Sequence, residues 1–273
     1  MKRYCLYLFI LIGISCSAEL KAQKNGTVYK GNDPAVRYTG RTLVSPDGSV
    51  AFDWVGTYLE TRFTGGKLSV KVSETGTSYY NVFVDGKLHK VVKVCGTDTL
   101  IHLVSGIDKR IHSLKIQKRS EGEFGKTTVH QFVLSGSGRL AEEPAVRTRH
   151  IEFIGNSLTC GYGTDGKHRD EPFLVETENC NLTFASMVAR YYDADYTLIA
   201  HSGRGAARNY GDSVRVSKVT MKDRMLNTFD EDLTHKWNFK EYRPDLVVIN
   251  LGSNDFSTEP HPYKSEFTKA YKQ

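Results

Sequence analysis

Polar and apolar residues alternate along most of the first half of the chain. In Lys67-Leu68-Ser69-Val70-Lys71-Val72 the apolar side chains fall on one side of an extended segment, which predicts a strand with one buried face. Tyr79 to Val84 and Leu88 to Val94 flank Asp85-Gly86-Lys87, a hairpin signal. Thr99 to Val104, Ile111 to Gln117 and Thr128 to Leu134 read the same way, with Gly, Asp and Ser between them. Many short strands with regular turns predict an all-β domain, a sandwich or jelly roll, over residues 24–145.

After Pro144 the rhythm changes. Ile151 to Ile154 reads as a strand. Leu182 to Tyr192 carries apolar residues at helical spacing, among them Phe184, Met187 and Val188. Tyr196 to Ala200 and the strongly apolar Asp245 to Leu251 read as strands, Lys222 to Phe229 as a helix, and a further helix begins at Lys264. Strands alternating with helices predict an α/β domain with a parallel sheet over residues 148–273. The boundary falls in Gly138 to Arg147, a stretch with glycine, proline and charges. There are no repeats or low-complexity tracts.

The N-terminus departs from both patterns. Met1-Lys2-Arg3, the apolar stretch Tyr4 to Ile14 and Leu20-Lys21-Ala22 read as a signal peptide over residues 1–22. The apolar stretch is too short for a membrane span. A signal peptide implies a secreted or periplasmic protein. Cys16 offers an alternative, a lipid-modified cysteine, although Gly13 three residues before it matches a lipoprotein signal poorly. Without residues 1–22, Lys plus Arg falls from 37 to 34 and Asp plus Glu from 31 to 30, leaving about +4. That mild charge has no basic stripe and gives nucleic-acid binding no support. Cys95, Cys160 and Cys180 remain, with no Cys-x-x-Cys or His-Glu-x-x-His pattern, so no metal or cofactor is expected. Cys160 and Cys180 either pair, as an oxidising compartment would allow, or stay as two free thiols.

Three strand ends carry candidate chemistry. Gly155-Asn156-Ser157-Leu158 follows the first strand of the second domain. His201-Ser202-Gly203-Arg204-Gly205 follows the next, and Asn250-Leu251-Gly252-Ser253-Asn254-Asp255 the last. Parallel α/β sheets bind ligands beyond the carboxyl ends of their strands, so the three can converge. Acyl transfer needs a nucleophile, a base and donors aimed at the developing oxyanion. Ser157 is the candidate nucleophile. Gly203 can offer a backbone N–H at close range, and Asn254 a side-chain amide. Singly, each is as well read as a turn residue; the order behind three strands is what carries the argument. No Gly-x-Ser-x-Gly elbow occurs, so a conventional α/β-hydrolase is not the reading.

In this order the motifs resemble the SGNH hydrolase superfamily. The string Gly155-Asn156-Ser157-Leu158-Thr159-Cys160-Gly161-Tyr162-Gly163 is similar, more specifically, to carbohydrate esterase family 2. So are Ser202 to Gly205, Arg208-Asn209-Tyr210-Gly211 and Asn250 to Phe256. Trp54-Val55-Gly56-Thr57-Tyr58 and Tyr80 to Gly86 resemble that family's jelly-roll domain. The resemblance implies removal of acetyl groups from plant polysaccharides such as xylan and glucomannan, without a metal. It implies Ser157 as nucleophile, with its own N–H, the Gly203 N–H and the Asn254 side chain as the oxyanion hole.

It also implies a histidine base in a late Asp-x-x-His, after a further strand and helices. That segment does not occur, and the chain ends at Gln273, 18 residues after Asp255. The SGNH-like domain therefore reads as incomplete at its C-terminus. His201 and His261 lie near enough in sequence to be tested as substitutes, and His168 sits in a charged loop. His89, His102, His112 and His130 read as strand-face residues. Tyr162, Arg204 and Trp54 are the candidate substrate-binding residues: the two rings can stack on sugar C–H faces, and core packing is the competing account for Trp54. Two functional readings follow. One is a secreted serine esterase acting on acetylated polysaccharide or oligosaccharide, or on another acylated glycan. The other is a carbohydrate-binding protein without catalysis.

Overall fold

The computed structural model describes residues 26–142 and 145–272. The expected signal peptide and Cys16 lie outside the described residues. Strands β1 (Gly26–Lys30), β2 (Val36–Thr39), β3 (Leu43–Val44), β4 (Val50–Phe52), β5 (Tyr58–Val84), β6 (Lys87–Lys118) and β7 (Thr127–Ser135) form one seven-stranded antiparallel sheet. The predicted hairpin is present, with Asp85 and Gly86 as its two-residue turn between paired Val84 and Lys87. β5 and β6 are longer than the alternation predicts, because several predicted strands run together in each. Register shifts at Thr64/Gly66, Val72/Glu74 and Glu74/Thr77 divide them, and such irregularities let a long strand bend. Val82 pairs with Lys90 on one side and Ile116 on the other. The sheet thereby curls around its own core, which includes Phe63, Leu68, Val82, Leu103 and Phe132.

The second domain holds a three-stranded parallel sheet of β8 (His150–Gly155), β9 (Asp195–Ala200) and β10 (Leu246–Ile249), in the order β10-β8-β9. Helices α1 (Ser157–Cys160), α2 (Phe184–Tyr191), α3 (Met221–Arg224) and α4 (Lys264–Lys272) accompany it. The helix expected over Lys222 to Phe229 is confined to α3. Its continuation is prevented where Met225 and Asn227 give their carbonyls to the buried Arg41 guanidinium, at 2.6 and 2.8 Å. Among the described residues, no helix is long and apolar enough to cross a membrane.

The two sheets share a wide joint. Asp195, at the start of β9, accepts Arg37 at 2.7 Å, Tyr58 Oη at 2.7 Å and Arg147 at 2.8 Å. Val55 and Tyr58 pack in one cluster with Ile151, Phe153 and Leu198. Gln117 donates to Tyr196 Oη at 2.6 Å. The joint continues to the opposite ends of the strands, where the candidate motifs lie.

Candidate active site

The serine turn is shaped by its neighbours. A Cβ on Gly155 would lie 2.0 Å from Thr159 Oγ1, so only glycine lets α1 fold back so closely on β8. Asn156 caps the helix, its side chain accepting from Leu158 N at 3.2 Å. The N–H groups of Thr159 and Cys160 go to the Asn156 carbonyl. Among the described residues, nothing takes the Ser157 N–H, and Ser157 itself is half-buried.

The second turn is held on both sides. Gly203 has φ +74°, a left-handed conformation that favours glycine. The Gly203 carbonyl accepts from Tyr210 N at 2.8 Å, and Arg204 N reaches His201 O at 3.3 Å. Among the described residues, the Gly203 N–H has no acceptor either.

The third motif locks the other two together. Asn156 Nδ2 donates to Ser253 Oγ at 3.0 Å, joining the first motif to the third. Asn254 Nδ2 donates to Arg204 O at 2.8 Å, joining the third to the second. An amide nitrogen carries two hydrogens, so one Asn254 N–H stays available. The buried Asp255 carboxylate accepts from Ala206 N at 3.0 Å, Ala207 N at 2.6 Å and Arg208 N at 2.8 Å. Ser157, Gly203 and Asn254 are thus brought to one place, with two unclaimed backbone N–H groups and an amide.

The proposed base positions are different. His201 is buried; its Nδ1 lies 2.8 Å from Asp230 Oδ2 and 3.4 Å from Glu231 Oε1. Burial works against its charge, but the Asp230 hydrogen bond and charge outweigh it, so its pKa is raised. His261 lies 3.3 Å from Glu259 Oε1, and His168 is exposed. Among the described residues, no side chain hydrogen-bonds the Ser157 hydroxyl.

Two alternatives that the sequence leaves open are decided. Trp54 is 0% exposed and packs with Ile154, Ile199 and Met221 behind the strands. It cannot stack on a sugar, and the core account holds. Cys160 and Cys180 are unpaired, buried thiols; burial pushes the first well above the ordinary thiol value and the second up to about 12. Tyr162 remains where a ligand could meet it: it is 49% exposed, its N–H bonds Ser157 O at 3.2 Å, and its ring stacks on Phe173 at 3.7 Å. Arg204 is half-buried, and its Nε has no acceptor.

Behind these motifs lies a buried polar joint that sequence reading missed. From the first domain come Asp53, Lys118, Arg119 and Glu121; from the second, Cys160, Glu178, His201 and Asp230. Oxygens of Glu121 and Glu178 and the Cys160 sulfur lie within 4.8 Å of one another. Burial, then the Glu121 charge, pushes the Glu178 carboxyl far up, so it keeps its proton at neutral pH. Asp53 accepts from Asp230 N at 2.8 Å and Glu231 N at 3.2 Å, and burial with the Asp230 charge pushes it up to about 7. His201, Asp230 and Glu231 also form a compact donor group, but Arg224 already takes Asp230 Oδ1 at 2.9 Å and Glu231 Oε1 at 2.7 Å. Four polar residues in a row, Lys118 to Glu121, carry no sequence signal that separates a buried joint from a solvated turn.

Comparison with known proteins agrees with this architecture. Residues 38–144 match the family Carbohydrate esterase 2 N-terminal, and residues 151–273 match GDSL-like Lipase/Acylhydrolase. A family two carbohydrate esterase from Clostridium thermocellum, solved in complex with cellohexaose, superposes with a TM-score of 0.82 at 35% identity, over 87% of this chain and 71% of that one. The chain belongs to carbohydrate esterase family 2. Cellulase/esterase CelE of Acetivibrio thermocellus is 35% identical over 241 residues, 88% of this chain. An acetylxylan esterase / glucomannan deacetylase of Cellvibrio japonicus is 33% identical over 226 residues, 80% of this chain. The chain spans 29% and 61% of the lengths of these two relatives.

Proposed function

We propose that this family 2 protein is an extracytoplasmic serine esterase that removes O-acetyl groups from plant polysaccharides such as xylan and glucomannan. The observation that carries the reading is the convergence of the three turns that carry Ser157, Gly203 and Asn254, the first tied to the third by Asn156 and Ser253 and the third to the second by Asn254 and the Arg204 carbonyl. Ser157 Oγ attacks the acetyl carbonyl. The Ser157 N–H, the Gly203 N–H and the free Asn254 amide hydrogen receive the developing oxyanion. The Ser157 proton ends on the departing sugar oxygen, which leaves as a hydroxyl, a transfer assigned to the histidine base that the resemblance implies, and water then releases acetate from the acyl-serine. Tyr162 and Arg204 contact the glycan. The N-terminal signal pattern supports an address outside the cytoplasm. In the full-length protein, Ser157→Ala abolishes acetate release from acetylated xylan; activity surviving in that variant refutes the assignment.

A second reading is carbohydrate binding without hydrolysis. It is favoured by one observation: His201 and His261 are engaged by Asp230 and Glu259, away from the Ser157 hydroxyl. Saturable binding of xylo- or manno-oligosaccharides with no acetate release separates it from the first.

A further inference from the structure

The turn that carries Gly203 is pinned at three points. Tyr210 N holds the Gly203 carbonyl at 2.8 Å, and Asn254 holds the Arg204 carbonyl at 2.8 Å. Both belong to the α/β domain. The third pin crosses the joint. Glu121, from the curled-sheet domain, accepts the Ser202 N–H through Oε2 at 2.5 Å and the Ser202 hydroxyl through Oε1. Each carboxylate oxygen thus takes one donor from the residue directly before Gly203. Glu121 also reaches the serine side, because its carboxylate neighbours the thiol of Cys160, the last residue of the helix that Ser157 begins.

Glu121 is itself immobilised. It is 0% exposed. Its N–H donates to Glu178 Oε2 at 3.0 Å, and its carbonyl accepts Lys118 Nζ at 3.3 Å. Arg119 Nε donates to the Glu178 carbonyl at 2.6 Å, so the glutamate that holds Glu121 is held from the same segment. A side chain so constrained sets the position of whatever it binds.

We infer that Glu121 is a positioning residue for the proposed oxyanion hole, through which the curled-sheet domain fixes the peptide of Gly203 against the helix of Ser157. The inference rests on the esterase reading for its catalytic consequence, not for its geometry. The curled sheet is then half of the reacting site's frame rather than a separable module. Glutamate suits the place because both its oxygens accept. Glutamine keeps the shape but replaces one acceptor with an NH₂: turned to the Ser202 N–H it opposes a donor, and turned to the hydroxyl it makes that hydroxyl accept and ends its charge-assisted bond to a carboxylate.

The test uses the full-length protein and compares Glu121→Gln and Ser202→Ala with the parent. Displacing a donor by a fraction of an ångström to an ångström costs on the order of 10- to 100-fold in rate. Glu121→Gln should lower kcat for acetylated xylo-oligosaccharides by about that factor, with KM within about twofold. Ser202→Ala keeps the N–H contact and should lose less, in the same parameter. Counting competent sites with a fluorophosphonate serine probe separates a slowed enzyme from a partly unfolded one. An unchanged kcat per competent site in Glu121→Gln overturns the inference. The Gly203 amide resonance is read in parallel, on parent and variants. A shift in Glu121→Gln supports positioning, and an unmoved resonance refutes it. Should the parent release no acetate, the esterase reading fails, and the Gly203 resonance still decides the inference about Glu121.

Discussion

The two sheets bury their apolar faces in different ways. The curled sheet closes on itself, and its core residues Phe63, Leu68, Phe132 and Leu134 are all 0% exposed. The parallel sheet does not close. β8 and β9 are buried almost throughout, while on β10 Leu246, Val247 and Ile249 remain 53, 46 and 48% exposed. Its buried part is completed by the neighbour: Trp54, Val55 and Tyr58 from the first domain enter the clusters around Ile199 and Leu198. The self-sufficient sheet therefore acts as a wall for the sheet that carries the site. Stability and site geometry are coupled across one joint.

The largest test of that coupling is Trp54→Ala. Truncating a buried aromatic costs about 3–5 kcal/mol, and the loss falls on the parallel sheet, where Trp54 packs. Denaturant unfolding followed by a probe in the α/β domain should shift strongly. Oligosaccharide affinity of the folded remainder should not change. A selective loss of affinity would return Trp54 to the ligand site.

Asp195→Ala breaks the joint at its other end. It leaves the Arg37 and Arg147 guanidinium groups with Glu60 as their remaining carboxylate, so the loss stays below the ~3 kcal/mol of a wholly unpaired buried charge. Thermal unfolding should fall accordingly, and separate transitions for the two domains should appear if the joint alone makes them cooperative.

The difference between the sheets was only partly legible in the sequence. Alternation at Lys67 to Val72 and the Asp85-Gly86 hairpin announced the curled sheet, because Leu68, Val70 and Val72 all fall on the face that packs into its core. It did not announce that these strands join into two long bent ones, since a bulge has no composition of its own. The three motifs of the site were legible because their residue types are dictated by backbone geometry: glycine at positive φ, asparagine at a cap and an aspartate among N–H groups. Trp54 carried two readings because an aromatic residue reads alike in a cleft and in a core, and its burial selects the second. Glu121 and Asp53 were missed because their partners Ser202 and Asp230 are 81 and 177 positions away.

The inner joint also sets a pH dependence opposite to that of its outer end. Burial and the Asp230 charge raise Asp53 from 3.8 to about 7, and Glu178 and His201 are raised as well. At these three groups the folded protein holds more protons than the unfolded chain, so their contribution to stability falls as pH rises. For Asp53 the window runs from about 4 to about 7. At the outer end, burial alone would raise Asp195, but Arg37, Tyr58 and Arg147 bring its pKa below 3.8. Its contribution is present above 3.8 and is lost as pH falls through the folded value. Thermal midpoints measured from pH 4 to 8 should decline, with a flatter slope in Asp53→Asn. An unchanged slope in that variant would assign the decline to Glu178 and His201.

The smallest expected effect on stability tests the open edge itself. Leu246 on β10 pairs with Ile151 of β8 on one side, and among the described residues no strand pairs with the other. An exposed apolar edge strand is a template for association, and a lysine blunts it. Leu246→Lys should change unfolding free energy by only about 0.5 kcal/mol, the ordinary range for exposed positions. It should nevertheless reduce light scattering of the 273-residue chain on concentration. Leu68→Lys, in the closed sheet, is the matched control: the same charge at a fully buried position should prevent folding. Equal scattering from the parent and Leu246→Lys would mean that the β10 edge is not where copies of this chain meet. The contrast between a closed sheet and an open one would then concern packing alone.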